Sequence, residues 1–307
     1  MAEPIRDALL ILNPRAGRVG ILLKDGRLDR IRHIFEQQGI ESEVARTDTP
    51  QAAEEAARNA IERKRHLVIA CGGDGTLNAV VNGLAGSHIP LTLLPAGTAN
   101  ILAKELHLPR NLERAAARLG RGTLHRIALG MVTTHDGETR SRYFLSVAGA
   151  GPDGAIVEAV NNELKRHTGM LAFWVEGLRQ FATYRFPRFR VTSEDEALDA
   201  TMIVVGRTKH YGGPFRITTQ ADLYGSDFEV MTCATRSSFR CLSYLPLACV
   251  GQVRLARGTT FFRTKSFRCE PIDSPAAAVQ VDGEPAGRLP AEFRVVPDAL
   301  TLLTPKT

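Results

Sequence analysis

Disulfide, zinc and membrane-spanning chemistry are all poorly provided for in this chain. Its five cysteines, Cys71, Cys233, Cys241, Cys249 and Cys269, include no CxxC pair and sit mostly in apolar segments. They read as buried reduced thiols of an intracellular protein, not as a disulfide framework. Eight histidines are dispersed without HExxH or comparable spacing, so a zinc site has no support. The start, Met1-Ala2-Glu3-Pro4-Ile5-Arg6-Asp7, lacks the apolar run of a secretory signal. The stretch from Gly75 to Ala103 is free of Asp, Glu, Lys and Arg, yet glycines, asparagines, Pro90 and Pro95 interrupt it. A membrane span needs about 20 mostly apolar helical residues, so this stretch reads as buried α/β core. Internal repeats and low-complexity linkers are also missing.

What is present is a 307-residue chain, 44% apolar, long enough for two domains with sizeable cores. The net charge of +6 suits a negatively charged partner: a nucleotide, a nucleic acid or an anionic membrane. Of the 39 basic residues 32 are Arg, which says as much about genomic base composition as about function.

Strands and helices alternate through the first part of the chain. Ala8 to Leu12 is a short apolar strand ending at Asn13-Pro14-Arg15-Ala16-Gly17, and Ile21 to Gln38 has helical spacing at Leu28, Ile31, Ile34 and Phe35. Glu41 to Arg46 is a second strand. Pro50 opens the next helix after Asp48-Thr49, with Arg63, Lys64 and Arg65 at its negative end. A strand over 67–71 leads into Gly72-Gly73-Asp74-Gly75-Thr76 and a helix to about Leu84. Ile89 to Leu94 is a strand, Pro95 to Asn100 a turn, and helices follow to Leu106 and from Asn111 to Leu119, the last closed by Gly120. This order predicts a doubly wound, mostly parallel sheet over residues 1–127. From about Ile127 the pattern turns β-rich, with strands at Tyr143–Val147, Phe186–Thr192, Ala200–Val205, Phe228–Cys233, Ala277–Val281 and Glu292–Val296. Helical spacing survives at Asp153–Lys165, Gly169–Tyr184 and Ser237–Val250. Residues 128–296 are therefore expected to form a second domain on antiparallel sheet.

The Gly72 to Thr76 turn is informative because a buried strand breaking into glycines and then a helix presents backbone N–H groups to a phosphate. Glycines allow close approach of the anion, Asp74 reaches a phosphate-bound Mg²⁺, and Thr76 caps the helix. As a bare pentapeptide it is equally a plain connector. Asn13–Gly17 and Gly97–Asn100 also follow strands, and the carboxyl edge of an open α/β sheet is where ligands bind.

The whole set resembles the diacylglycerol kinase catalytic domain family, which includes sphingosine kinases and bacterial lipid kinases. The matching pieces are Asn13-Pro14-x-x-Gly17, Gly72-Gly73-Asp74-Gly75-Thr76, Pro95-Ala96-Gly97-Thr98-Ala99-Asn100, Ala148-Gly149-Ala150-Gly151-Pro152-Asp153, Tyr211-Gly212-Gly213 and Val281-Asp282-Gly283-Glu284. They occur in the family's order over nearly the whole chain. The resemblance implies an ATP-binding α/β domain, rejoined by the C-terminal segment 297–307, and a sandwich-like lipid-binding domain, with the active site in the cleft between them. It puts ATP phosphates on Gly72, Gly73, Gly75 and Thr76. Asn13, Gly17, Gly97, Thr98 and Asn100 would fix the nucleotide, and Thr47 is a weaker contact.

Phosphoryl transfer needs neutralised γ-phosphate charge and a base or orienter at the acceptor hydroxyl. Asp282 is the first candidate for that base and Asp74 the alternative; the isolated Asp282-Gly283 pair also reads as a β-turn. Glu284 would hold Mg²⁺ or order Asp282, with Asp74 as a further metal ligand. Asp222 lies where some bacterial relatives place a structural Mg²⁺, though its Ala221 to Asp227 context equally suits an acidic surface turn. Two positions depart from the bacterial pattern, Ile101 and Ala128, each where Asp is common, which thins the acidic network around Mg²⁺.

Met170, Leu171, Phe173, Trp174, Leu178 and Phe181 either flank an acyl pocket or belong to a core helix, the reading preferred for the individual aromatics. Arg179, Arg185, Arg188 and Arg190, interleaved with Phe181, Tyr184, Phe186 and Phe189, either meet an anionic bilayer or form a core helix and an amphipathic strand with solvated arginines. Such interleaving also suits single-stranded nucleic acid, but no nucleic-acid fold surrounds it. The leading expectation is a Mg²⁺-dependent ATP:lipid kinase, cytoplasmic and peripherally membrane-associated, with a homodimer allowed. Its rivals are a kinase of a soluble acceptor, since NAD kinases share the Gly-Gly-Asp-Gly turn, and a non-catalytic nucleotide- or lipid-binding regulator.

Overall fold

The computed structural model describes residues 5–17, 19–24, 26–119, 122–159 and 184–305. The chain divides into two compact units, Met1–Ile127 with Asp298–Thr307, and Ala128–Pro297.

The first unit alternates strand and helix: β1 (Asp7–Leu12), α1 (Val19–Lys24), α2 (Arg27–Glu36), β2 (Glu41–Arg46), α3 (Pro50–Glu62) and β3 (Val68–Gly72). Then come α4 (Asp74–Leu84), β4 (Pro90–Pro95), α5 (Ile101–Glu105) and α6 (Leu112–Leu119). The sheet runs β2-β1-β3-β4, all parallel, and Thr301 and Leu302 add a further parallel strand beside Pro90 and Leu91. Helices α2 and α6 pack together on one face and α3 with α4 on the other. The strands are thus covered on both sides, which is why Leu9 to Leu12 and Val68 to Cys71 are apolar runs rather than alternating ones. One core joins Leu10, Leu12, Ile69 and Cys71 to Ile31, Phe35, Ala115 and Leu119.

Two local expectations are corrected. The single helix read over Ile21–Gln38 is split between α1 and α2, because Gly26, at φ 62°, is left-handed and starts a new helix. Thr76 does not cap α4: Gly73 is the N-cap, and Thr76 lies inside the first turn. At α3 the expected start holds, with the Thr49 hydroxyl accepting from the Ala52 amide and Pro50 in the first turn. Gly120 and the Gly169–Phe181 stretch lie outside the described residues.

The second unit is antiparallel. Its elements are β5 (Thr123–Asp136), whose residues to Ile127 belong to the first unit, β6 (Glu138–Phe144), β7 (Val147–Ala150), α7 (Pro152–Ala159), β8 (Phe189–Ser193), β9 (Ala197–Ala200) and β10 (Met202–Gly206). They continue with the short pair β11 (His210–Tyr211) and β12 (Phe215–Arg216), then β13 (Phe228–Cys233) and α8 (Ser238–Cys249). Last are β14 (Thr259–Thr264), β15 (Ser266–Pro271), β16 (Ala278–Val281), β17 (Glu284–Arg288) and β18 (Ala291–Thr304), whose residues from Asp298 belong to the first unit. One sheet has the order β14-β13-β10-β7-β16-β17. A second layer contains β9, β8, β15 and the start of β18. Phe189, Val191, Phe267 and Phe293 from the second layer meet Ile203, Val205, Phe228 and Val279 from the first, so the two close over one core. Phe267 stacks on Phe293 at 4.6 Å between ring centres.

Candidate active site

In the first unit the chain passes from β1 to β2 on one side and then returns to β3 on the other side of β1. That makes β1 and β3 the switch point of the sheet, where the connections leaving their carboxyl ends diverge to opposite faces and open a crevice. Three turns meet there. The Asn13 side-chain amide donates to the Thr76 hydroxyl at 3.2 Å, bridging the ends of β1 and β3. The amides of Ala96 and Gly97 both donate to the Gly72 carbonyl at 3.0 Å, bridging β3 to β4.

Side chains are absent where these turns touch. A Cβ on Gly97 would stand 2.3 Å from the Gly73 Cα, and one on Gly17 would stand 2.8 Å from the Ala96 carbonyl oxygen. Asn100, left-handed at φ 49°, closes its own turn by accepting from the Gly97 amide at 3.0 Å and donating to the Gly97 carbonyl at 2.8 Å. In α4 the first helical bond runs from Leu77 N–H to the Gly73 carbonyl, so the amides of the preceding first turn point past the helix end toward this crevice.

Asp74 has a second task that the sequence did not signal. Its carboxylate accepts from the Asn100 amide at 2.9 Å and the Ile101 amide at 2.7 Å, locking the third turn to the second. Ile101 thus contributes its backbone amide to the Asp74 carboxylate. Lys104, in α5, feels this same acid: burial lowers its ammonium pKa, Asp74 raises it, and Arg110 lowers it further. Sequence reading passed over Lys104; its position one turn after Asn100 was the available signal. Thr47 is buried, its amide bound to the Leu12 carbonyl at 2.9 Å and its hydroxyl without a partner among the described residues. Thr98 is exposed at the tip of its turn.

In the second unit Asp282 and Gly283 form the two-residue turn between β16 and β17, with φ of 47° and 82°. Consecutive positive φ values are what a tight hairpin demands, and Asp-Gly is a favoured pair there. Yet Asp282 is more than a turn residue. Its carboxylate is buried and accepts from the amides of Leu145, Ser146 and Val147, each at 2.9 Å. Glu284, half-buried, starts β17 opposite Val281.

Behind the turn lies a polar chain that sequence reading did not assemble. The Gly283 amide donates to the Gln280 side-chain oxygen at 2.9 Å, and the Gln280 nitrogen donates to Asp153 at 2.7 Å. The Tyr211 hydroxyl donates to the other Asp153 oxygen. Burial raises the Asp153 carboxyl pKa and the hydrogen bonds from Tyr211 and Gln280 lower it in part; burial and Asp153 together push Tyr211 well up. Gly149 is required beside this acid, since a Cβ there would stand 2.2 Å from an Asp153 oxygen. The motifs around residues 148–153, 211–213 and 281–284 are therefore one hydrogen-bonded assembly.

Within either unit, among the described residues, no three His, Cys, Asp or Glu side chains gather as a metal cage. Asp222 is an exposed turn residue whose carboxylate accepts from the Tyr224 amide at 3.0 Å. The inward carbonyls of its loop are taken by a cation already: the fully buried Arg207 donates to the carbonyls of Leu223, Gly225 and Asp227, and to that of Ala128 at 3.0 Å. Desolvation lowers the Arg207 pKa to about 10, opposed by Asp222 and Asp227. Asp74 fits a different kind of Mg²⁺ site, in which one or two carboxylates and substrate phosphates hold a largely hydrated ion.

Of the basic-aromatic stretch, Arg179 and Phe181 lie outside the described residues. Phe186 and Phe189 are core residues, Arg188 pairs with Asp273 and Arg190 with Asp199. No described helix is long and apolar enough to cross a membrane.

Comparison with known proteins supplies the context. The profile described as diacylglycerol kinase catalytic domain matches residues 7–132, and that described as YegS C-terminal NAD kinase beta sandwich-like domain matches residues 146–304. The chain is 29% identical to the diacylglycerol kinase of Bacillus subtilis over 294 residues, covering 94% of this chain and 93% of that one. It is 29% identical to the diacylglycerol kinase of Mycobacterium tuberculosis over 303 residues, covering 96% and 94%. A crystal structure of a diacylglycerol kinase from Bacillus anthracis has the same fold, with a TM-score of 0.75 at 20% identity over 99% of this chain and 98% of that one.

Proposed function

We propose a specific chemistry for this chain, which belongs to the diacylglycerol kinase catalytic domain family, with a YegS-type C-terminal domain, and is a lipid kinase of that kind. It transfers the γ-phosphoryl group of ATP to the hydroxyl of a diacylglycerol-like lipid drawn from a membrane. The observation that carries this reading is the knitting of three strand-end turns by Asn13, Thr76, Gly72 and Gly97 at the switch point of the sheet. Such a crevice meets a polyphosphate with backbone N–H groups and a helix N-terminus.

The residues divide the work. Gly72, Gly73, Gly75 and Thr76 cradle donor phosphates, with Asn13, Gly17, Gly97 and Asn100 shaping the cradle and Lys104 adding positive charge beside it. Asp74 contributes a carboxylate to Mg²⁺, which when bound neutralises phosphate charge. Asp282 accepts the acceptor hydroxyl proton or orients that hydroxyl. Its three backbone hydrogen bonds fix the carboxylate's direction, as orienting a hydroxyl requires. Asp74, which the reading assigns to Mg²⁺ and which also ties the second turn to the third through two amides, is the alternative for base.

Turnover of Mg²⁺–ATP with diacylglycerol in mixed micelles tests this assignment. Asp282→Asn should cut turnover by at least about 10²-fold, as for removal of a general base, while calorimetric ATP affinity stays within about twofold. Full activity in that variant would remove Asp282 from the mechanism.

A further inference from the structure

Helix α8 turns an uncharged stripe outward, with Arg240 at its side. Its inner side, with Tyr244 and Ala248, covers Met202, Val204 and Met231 of the sheet. At 100° per residue, Phe239, Ser243, Pro246 and Val250 fall within about 60° of one another on the opposite side, spread over roughly 16 Å of axis. None of the four is charged, and Phe239 is 82% exposed and Val250 58%. Leu255, in the short 3₁₀ turn that follows, is 72% exposed. A surface helix ordinarily turns charged and polar residues outward, so an uncharged stripe tipped by Phe and Val is prepared for something other than water.

The charge around the stripe says what. From Ala234 to Gly258 the chain contains four arginines, Arg236, Arg240, Arg254 and Arg257, and no Asp, Glu or Lys. Arg254 is turned inward onto the buried Glu229 and over the Phe261 ring, and Arg236 reaches Asp273. Arg240 and Arg257 remain exposed, and Arg216 lies against Gly251 at the end of the helix. Apolar tips on separate elements, ringed by cations of one sign, match a bilayer interface: the tips enter the acyl boundary while arginine stems lie flat and their heads meet lipid phosphates. We infer that α8 and the turn through Leu255 form the surface by which this protein docks on an anionic membrane, an inference that takes its purpose from the lipid-kinase reading above.

Vesicle co-sedimentation tests the surface without any need for kinase activity, so failure of the kinase reading would leave it measurable. The full chain is mixed with vesicles of phosphatidylcholine alone or with about one-third phosphatidylglycerol. Binding should require the anionic lipid and weaken with salt. Arg240→Gln and Arg257→Gln should each lower the partition coefficient roughly fivefold. Phe239→Ser and Leu255→Ser, at exposed positions that carry no packing, should each lower it by about an order of magnitude. Equal binding by wild type and all four variants would overturn the inference. So would equal binding to uncharged vesicles, or sedimentation equilibrium showing a dimer that Phe239→Ser dissociates, since a second copy would then cover the face.

Discussion

At Asp282 one residue satisfies two demands that the sequence presents as alternatives. It is a tight-turn aspartate, as the Asp-Gly pair suggests, and also a buried carboxylate aimed by three amides. The turn was legible because φ > 0 favours Asp-Gly; the three donors come from residues 145–147, more than a hundred positions away, and no local pattern reports them. Asp153 shows the same limit. Its carboxyl pKa is raised by burial, so the folded state binds its proton more tightly than the unfolded chain. The stability this confers is present at low pH and declines as pH rises from the unfolded value toward the folded one. Compared with Asp153→Asn in urea unfolding, wild type should therefore lose relative stability above about pH 4, by at most about 1.4 kcal/mol per pH unit. A difference that is flat or grows with pH would show that Asp153 is held as the anion.

At the scale of elements, what could be read depended on periodicity. The parallel strands β1, β3 and β4 are short apolar runs closed by glycine or proline turns, and they stand where that pattern puts them. Strands such as β14 and β15, whose burial alternates without a strong apolar signal, were passed over. The arginine-aromatic stretch was ambiguous for a physical reason: in β8, Phe189 and Val191 face the core while Arg190 and Thr192 face out, which is also how an amphipathic membrane segment reads. The contact between two turns was invisible, although each turn was recognised. It predicts that Gly97→Ala, whose new Cβ would meet the Gly73 Cα at 2.3 Å, costs about 1–3 kcal/mol of stability and weakens ATP binding more than tenfold. Thr98→Ala, at the exposed tip next door, should change stability by less than about 0.5 kcal/mol. Thermal unfolding and ATP titration of both variants check this; a Gly97→Ala protein with wild-type ATP affinity would mean that the second and third turns need not touch.

For the molecule as a whole, the two-part architecture divides the chemistry. In the proposed reading the α/β unit carries the donor cradle and the β-sandwich-like unit carries Asp282 with its Gln280–Asp153–Tyr211 support. Family and fold class were legible because six short motifs keep their order along the chain. The acceptor was not, because its recognition depends on packing that short motifs do not encode. The central claim is the transfer itself, and the most direct measurement is incubation of the purified chain with γ-labelled ATP, Mg²⁺ and a total-lipid extract, followed by phase separation and mass spectrometry of the labelled product. Label in the organic phase, on a diacylglycerol-like lipid carrying one new phosphate, is the predicted result. Label confined to water-soluble products, or ATP bound without transfer to any lipid, would contradict it.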